Sequence, residues 1–122
     1  MAGERGAGVL GDASGEILEQ TAALFGVLAS PVRLRILRTL SRGESDVAHL
    51  AEQVGGALST ISQHLSALTR SGLVDARRDG RRRVHFIADS AVVEVVGVVV
   101  ERVSERADAR FAAPGEACEG AP

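Results

Sequence analysis

Residues 46–72 read DVAHLAEQVGGALSTISQHLSALTRSG, and this stretch decides the fold. Asp46 is a residue type suited to capping a helix N-terminus. Val47, Leu50, Ala51 and Val54 follow it at helical spacing, which predicts a helix over 47–54. Gly55-Gly56-Ala57 breaks that helix. A second run opens at once, with Leu58, Ile61, Leu65 and Leu68 recurring so as to share an inward face, and Gly72 ends it, giving a helix over about 58–71. Two short helices joined by a three-residue Gly-containing turn have helix-turn-helix geometry. The outer face of the second helix carries Ser59, Ser62, Gln63 and Ser66. Such hydroxyl and amide groups bond to base edges or phosphates when a helix enters a major groove. Taken alone, an ordinary solvent-facing surface would look the same.

The segment downstream separates these readings. Leu73-Val74-Asp75-Ala76-Arg77-Arg78 is followed by Asp79-Gly80 and then by Arg81-Arg82-Arg83-Val84-His85-Phe86-Ile87. An Asp-Gly pair between two extended stretches signals a β-hairpin. Val84 and Phe86, opposite Val74 and Ala76, alternate as in a half-buried ribbon. Arg77, Arg78, Arg81, Arg82 and Arg83 flank the tip. Basic side chains on a protruding ribbon suit phosphate contact and the minor groove. A charged edge also guards against strand pairing, but five arginines around one tip exceed that need.

Upstream, Ile17, Leu18, Thr21, Leu24, Phe25 and Leu28 predict an amphipathic helix over 15–29. Ser30-Pro31 starts the next helix, which runs to about Ser41 and stops at Gly43. Its inner face is Val32, Ile36, Leu37 and Leu40; Arg35, Arg38 and Arg42 share the outer one. In the last segment, about 90–110, valines favour strand, but Glu94, Gly97, Glu101, Ser104 and Asp108 recur every three or four residues. That spacing predicts a helix with a wide apolar face, which packing must support because Val is a mediocre helix former. Residues 1–13 and 111–122, rich in Gly, Ala, Pro and Glu, are expected to be disordered tails around one domain, 14–110. The expected fold is mainly α with a β-hairpin wing, in the order α-α-α-α-β-β-α.

The chain has 122 residues, 45% of them hydrophobic and 2% aromatic, so its core is built from Leu, Val, Ile and Ala. The formal net charge is −2, yet residues 28–88 carry ten Arg against five acids, net +5. The flanks sum to −7. A basic centre on an acidic chain is the footprint of a polyanion-binding surface. The lone cysteine, Cys118, forms no internal disulfide, which fits the cytoplasm. No apolar secretory region opens the chain, and the run Val92–Val100, interrupted by Glu94, is too short to span a bilayer. Neither a Gly-rich phosphate loop nor a Ser/His/Asp or Cys/His constellation is present, so no enzyme is expected.

Several segments together resemble the ArsR/SmtB-type regulators. They are Leu28-Ala29-Ser30-Pro31-Val32-Arg33-Leu34-Arg35-Ile36-Leu37, then Leu50-Ala51-Glu52-Gln53-Val54-Gly55, then Ser59-Thr60-Ile61-Ser62-Gln63-His64-Leu65-Ser66-Ala67-Leu68, and then Gly72-Leu73-Val74 through Arg78-Asp79-Gly80-Arg81. The likeness covers about residues 17–106. It implies a winged helix-turn-helix regulator, usually a repressor, that binds a double-stranded operator as a homodimer joined through its first and last helices. It also implies DNA contacts at Ser59, Thr60, Ser62 and Gln63, with the wing arginines on the phosphates, and a structural hydrogen bond at His64. The family commonly senses metals, but this sequence departs from both usual ligand sets. Asp46, Val47 and Ala48 stand where one set has Cys-Val-Cys; Asp89, Ala91, Arg102 and Glu105 stand where the other has two histidines between its carboxylates. No cofactor is expected to be required. A second reading is a nickel- or zinc-responsive regulator with a non-standard site drawn from Asp89, Glu105 and His49. A third is a protein-interaction module that works with a protein co-regulator.

Overall fold

The computed structural model describes residues 10–111. Five helices and one hairpin follow in order: α1 (Gly15–Leu28), α2 (Pro31–Arg42), α3 (Val47–Val54), α4 (Leu58–Arg70), β1 (Val74–Asp79), β2 (Arg82–Ile87) and α5 (Ser90–Phe111). The expected order holds, with helix ends within a residue or so of their predicted places. The tails expected at 1–13 and 111–122 lie almost wholly outside the described residues, as does Cys118; Phe111 closes α5.

Local chemistry sets the boundaries. Ser30 Oγ accepts the Arg33 N–H at 3.3 Å, with Pro31 opening α2. Asp46 Oδ1 accepts the His49 N–H at 2.9 Å and starts α3. Asp89 Oδ1 accepts the Val92 N–H at 3.1 Å and starts α5. The turn between α3 and α4 needs backbone that side chains resist: Gly55 has φ 89° and Gly56 φ 121°.

One core joins α2, α3, α4 and the wing. It holds Ile36, Leu37, Leu40, Leu50, Ile61, Leu65, Leu68, Leu73 and Val74, all at most 4% exposed. Each fully buried aliphatic side chain contributes about 1.5–3 kcal/mol. Leu58, expected on the inner face of α4, is instead 54% exposed at the first position of the helix. Arg33 staples three helices: Nε–H donates to His64 Nδ1 at 3.0 Å and Nη1–H to the Val27 carbonyl at 3.1 Å. His64 thus has the structural hydrogen bond expected of it.

The hairpin corrects two details. Asp79 pairs with Arg82, so the two-residue tip is Gly80-Arg81 rather than Asp79-Gly80. Gly80 supplies the positive φ of 67° at the first tip position, as a II′ turn requires. With this register Val74 faces Ile87 and Ala76 faces His85, whereas Val84 faces Arg77 and Phe86 faces Asp75. Val74 with Ala76 and Val84 with Phe86 therefore occupy opposite faces of the ribbon, and the base of the wing is buried on both.

α1 and α5 pack on the edge of this core, α1 through Leu24, Val27 and Leu28 and α5 through Val92, Val93 and Val96. α1 buries only Leu28, leaving Ile17, Leu18 and Phe25 about half exposed or more. α5 buries no residue, and Val95, Val98, Val99, Val100 and Val103 are each 51–57% exposed.

Candidate nucleic-acid interface

Ser59, Thr60, Ser62 and Gln63 are all exposed on α4, while Ile61 and Leu65 anchor the opposite side of that helix in the core. No side chain caps α4, so its first-turn N–H groups stay open beside Ser59 and Thr60. An uncapped helix start with flanking hydroxyls favours an anionic oxygen. Ser62 of α4 and Arg82 and Arg83 of β2 line one common cleft. The helix face and part of the wing therefore open toward the same space. Arg78 and Arg81, near the tip, are exposed and have no carboxylate partner among the described residues.

The arginines predicted as one set divide into two. Arg77 makes a forked ion pair with Glu44: Nη1–H donates to Oε2 at 2.8 Å and Nη2–H to Oε1. Its guanidinium carbon also lies 5.9 Å from the Phe86 ring centre. Arg82 Nε–H donates to Asp46 Oδ2 at 2.9 Å. Arg78, Arg81 and Arg83 carry no such tie among the described residues. Arg77 hydrogen-bonds Glu44 and draws its carboxyl below the ordinary range, and Glu44 in turn raises Arg77. The His49 backbone N–H, more than Arg82, lowers Asp46.

Between Glu44 and Asp46, Ser45 pairs as a short third strand with β2. Its N–H donates to the His85 carbonyl at 3.0 Å, and the His85 N–H donates to the Ser45 carbonyl at 2.8 Å. Two ion pairs and two backbone hydrogen bonds thus fasten the wing to the segment that begins α3. The sequence reading missed Glu44 and Asp46 in this role; its signal was two acids flanking one residue beside an arginine-rich hairpin. His85, expected simply to pack, is buried, and burial is the main cause holding its pKa below the usual histidine value, with Arg83 adding to it.

The three residues considered for a metal are not brought together within one chain. His49 Nδ1 lies 4.0 Å from Glu52, Asp89 caps α5, and Glu105 stands 3.8 Å from Arg102. Along one helix Asp89 and Glu105 are separated by roughly 24 Å. No group of three or more His, Cys, Asp or Glu suited to a metal occurs among the described residues. No helix among them is long and apolar enough to cross a membrane.

Two helices joined by a Gly turn and followed by a basic hairpin define a winged helix-turn-helix. The family described as "Bacterial regulatory protein, arsR family" matches residues 30–76. HTH-type transcriptional regulator Rv0081 of Mycobacterium tuberculosis is 40% identical over 78 residues, 63% of this chain and 68% of its own. Its crystal structure superposes with a TM-score of 0.72 at 33% identity, over 80% of this chain and 99% of that one. The homodimeric winged helix-turn-helix DNA-binding domain of Mycobacterium bovis Mb0332 gives a TM-score of 0.70 at 37% identity, over 77% of this chain and 87% of that one. The "Probable mercury resistance operon repressor" of Streptomyces lividans is 38% identical over 78 residues, 64% of this chain and 62% of its own. The chain belongs to the arsR family, a family of transcriptional regulators. It spans 62% of the Streptomyces relative and 39% of the curated M. tuberculosis relative Rv0324.

Proposed function

We propose that this chain is a homodimeric, sequence-specific DNA-binding regulator acting in the cytoplasm, by binding alone and without catalysis. Two α4 helices enter successive major grooves of a pseudo-palindromic operator, about 34 Å apart. Ser59, Thr60, Ser62 and Gln63 contact bases and the nearest phosphates. Arg78, Arg81 and Arg83 contact flanking phosphates, while Arg77 and Arg82 hold the wing in place through Glu44 and Asp46. The observation that carries this reading is the shared opening of Ser62 of α4 and Arg82 and Arg83 of β2 onto one cleft. The dimer contact is assigned to the exposed apolar faces of α1 and α5, in keeping with the homodimeric relative from M. bovis.

The test is binding of the purified chain to DNA from upstream of its own gene, at two salt concentrations, with and without Ni(II) and Zn(II). Sequence-specific retention that weakens steeply with salt is expected. Binding with no preference over unrelated DNA of equal length sinks the assignment. Ligation by His49, Asp89 or Glu105 would make binding metal-dependent in the same titration, and binding only after addition of a second protein would favour the co-regulator reading.

A further inference from the structure

α1 and α4 have different tasks, self-association and DNA reading, and one side chain of α2 joins them. The two helices border an open cleft of about 780 Å³, lined by Gln20 and Thr21 from α1 and by Ala67 and Arg70 from α4. Arg33 of α2 lines the same cleft. Its Nη1–H donates to the Val27 carbonyl of α1 at 3.1 Å, and its Nε–H donates to His64 Nδ1 of α4 at 3.0 Å. Both bonds are partly buried. Among the described residues no other side-chain hydrogen bond or ion pair reaches α4 from α1 or α2.

Each end of this link sits where it has leverage. α1 has no basic residue in its last turn. Its Gly26 and Leu28 carbonyls accept the Ala29 and Ser30 N–H groups, and the Val27 carbonyl between them is taken by Arg33. A cation at these carbonyls offsets the negative end of the helix dipole. At the other end, His64 directly follows Gln63 and lies one turn after Thr60. The link therefore grips α4 at the turn that carries reading residues. Ile61, Leu65 and Leu68 hold α4 by apolar contact, which is non-directional. A hydrogen bond constrains angle as well as distance. Side chains that read bases must be held within roughly 0.5 Å of their productive places. We propose, on the basis of the DNA-binding function above, that Arg33 is a positioning residue for recognition. Through His64 it sets Thr60 and Gln63 relative to α1, so that the seat of α1 in the dimer fixes the alignment of the reading helix.

Three variants of the full chain test this. Arg33→Lys keeps the charge and loses the planar fork that serves two acceptors at once. His64→Leu removes the acceptor, and His64→Asn restores one near the place of Nδ1. The first readout is amide hydrogen exchange of the protein without DNA. His64→Leu, a change in α4, should speed exchange across the last turn of α1 by about tenfold. In an Arg33→Lys background the same change should add no more than about twofold. The second readout is the ratio of affinities for a duplex from upstream of the gene and for an unrelated duplex of equal length. Arg33→Lys and His64→Leu should each lower that ratio about tenfold, the double variant no further, and His64→Asn should return it toward wild type. Affinity for unrelated DNA and its salt slope should stay as in wild type, since Arg33→Lys keeps the cation. Unchanged exchange in α1 overturns the proposal. So does an unchanged ratio, or a parallel fall in both affinities, which marks loss of folded protein alone. Exchange coupling in a wild type that shows no preference between the duplexes would refute the DNA-binding function and leave the link between the helices standing.

Discussion

Helices α4 and α5 carry similar apolar side chains and end in opposite conditions. α4, 13 residues long, buries Ile61, Leu65, Ala67 and Leu68 within its own chain. α5, 22 residues long, buries none, and five of its valines stay more than half exposed. Helical propensity does not account for α5, since Val is a mediocre helix former and an isolated helix of this length is marginal in water. Packing supplies part of what propensity does not: Val92, Val93 and Val96 lie against the core, while Val95, Val98, Val99, Val100 and Val103 stay exposed. α4 is covered within the chain, whereas much of α5 is left exposed, open to the self-association proposed above.

The largest expected effect tests that division. Val95→Asp combined with Val99→Asp would place four unpaired carboxylates in a dimer interface, each costing several kcal/mol to bury. Sedimentation should show a monomer at concentrations where the wild type is dimeric, with operator affinity falling by roughly three orders of magnitude or more. Unchanged mass and unchanged binding would remove α5 from the interface. The matched change on the other helix, Ile61→Ala, should cost about 2–5 kcal/mol of stability. Because Ile61 is fully buried within the chain, that cost should not depend on protein concentration. A concentration-dependent loss for Ile61→Ala would erase the contrast.

Within the wing, the comparison narrows to arginines that differ in their partners. Arg81 is at the tip without a carboxylate, and Arg77 is forked onto Glu44. Arg81→Ala should lower the slope of log affinity against log salt by about 0.9 for each phosphate that is no longer neutralised. Arg77→Ala should weaken binding with little change in slope, because it loosens the wing and leaves the phosphate neutralisation as it was. Glu44→Gln gives the sharper version. It removes a negative charge near DNA, which by Coulomb's law alone would strengthen binding, whereas loosening the wing fastening weakens it. Tighter binding by Glu44→Gln would place Arg77 among the phosphate-binding arginines instead.

Much of this organisation was legible in the sequence. Periodicity set the helices, Ser30-Pro31 and Asp46 marked true starts, and the Asp-Gly pair marked the hairpin. The valine-rich run was correctly a helix because polar residues every three or four positions outweigh β-propensity. Other features depend on partners distant along the chain. Nothing local says that Arg77 meets Glu44 or that Arg82 meets Asp46, at separations of 33 and 36 residues. The ribbon faces were legible but misread: any two-residue tip pairs even-numbered with odd-numbered residues, so Val74 and Ala76 lie on the face opposite Val84 and Phe86 whether the tip is Asp79-Gly80 or Gly80-Arg81. Leu58 looked inward because periodicity ignores where a helix starts relative to its neighbours.

The smallest expected effect lies where the reading head and the wing meet, at His85. Its folded pKa is held below the ordinary histidine value, chiefly by burial and then by Arg83, with Asp46 and the Ser45 hydrogen bond opposing. Between the folded and unfolded pKa values the unfolded chain binds more protons, so stability rises with pH across that window. The neutral ring's contribution is complete above pH ~6.5 and is lost as pH falls toward and through the lower folded value. One titrating group contributes a slope of at most about 1.36 kcal/mol per pH unit. His85→Gln should remove that group's part of the slope below pH ~6.5, read by denaturant unfolding at matched ionic strength. Asp46, whose pKa is lowered, stabilises above its ordinary value and loses that effect only in stronger acid, so Asp46→Asn separates the two groups by the pH at which each curve departs from wild type. A His85→Gln curve parallel to wild type throughout would mean that the imidazole is as well solvated in the folded wing as in the unfolded chain, and the tight join between wing and α3 would have to be looser than its two backbone hydrogen bonds require.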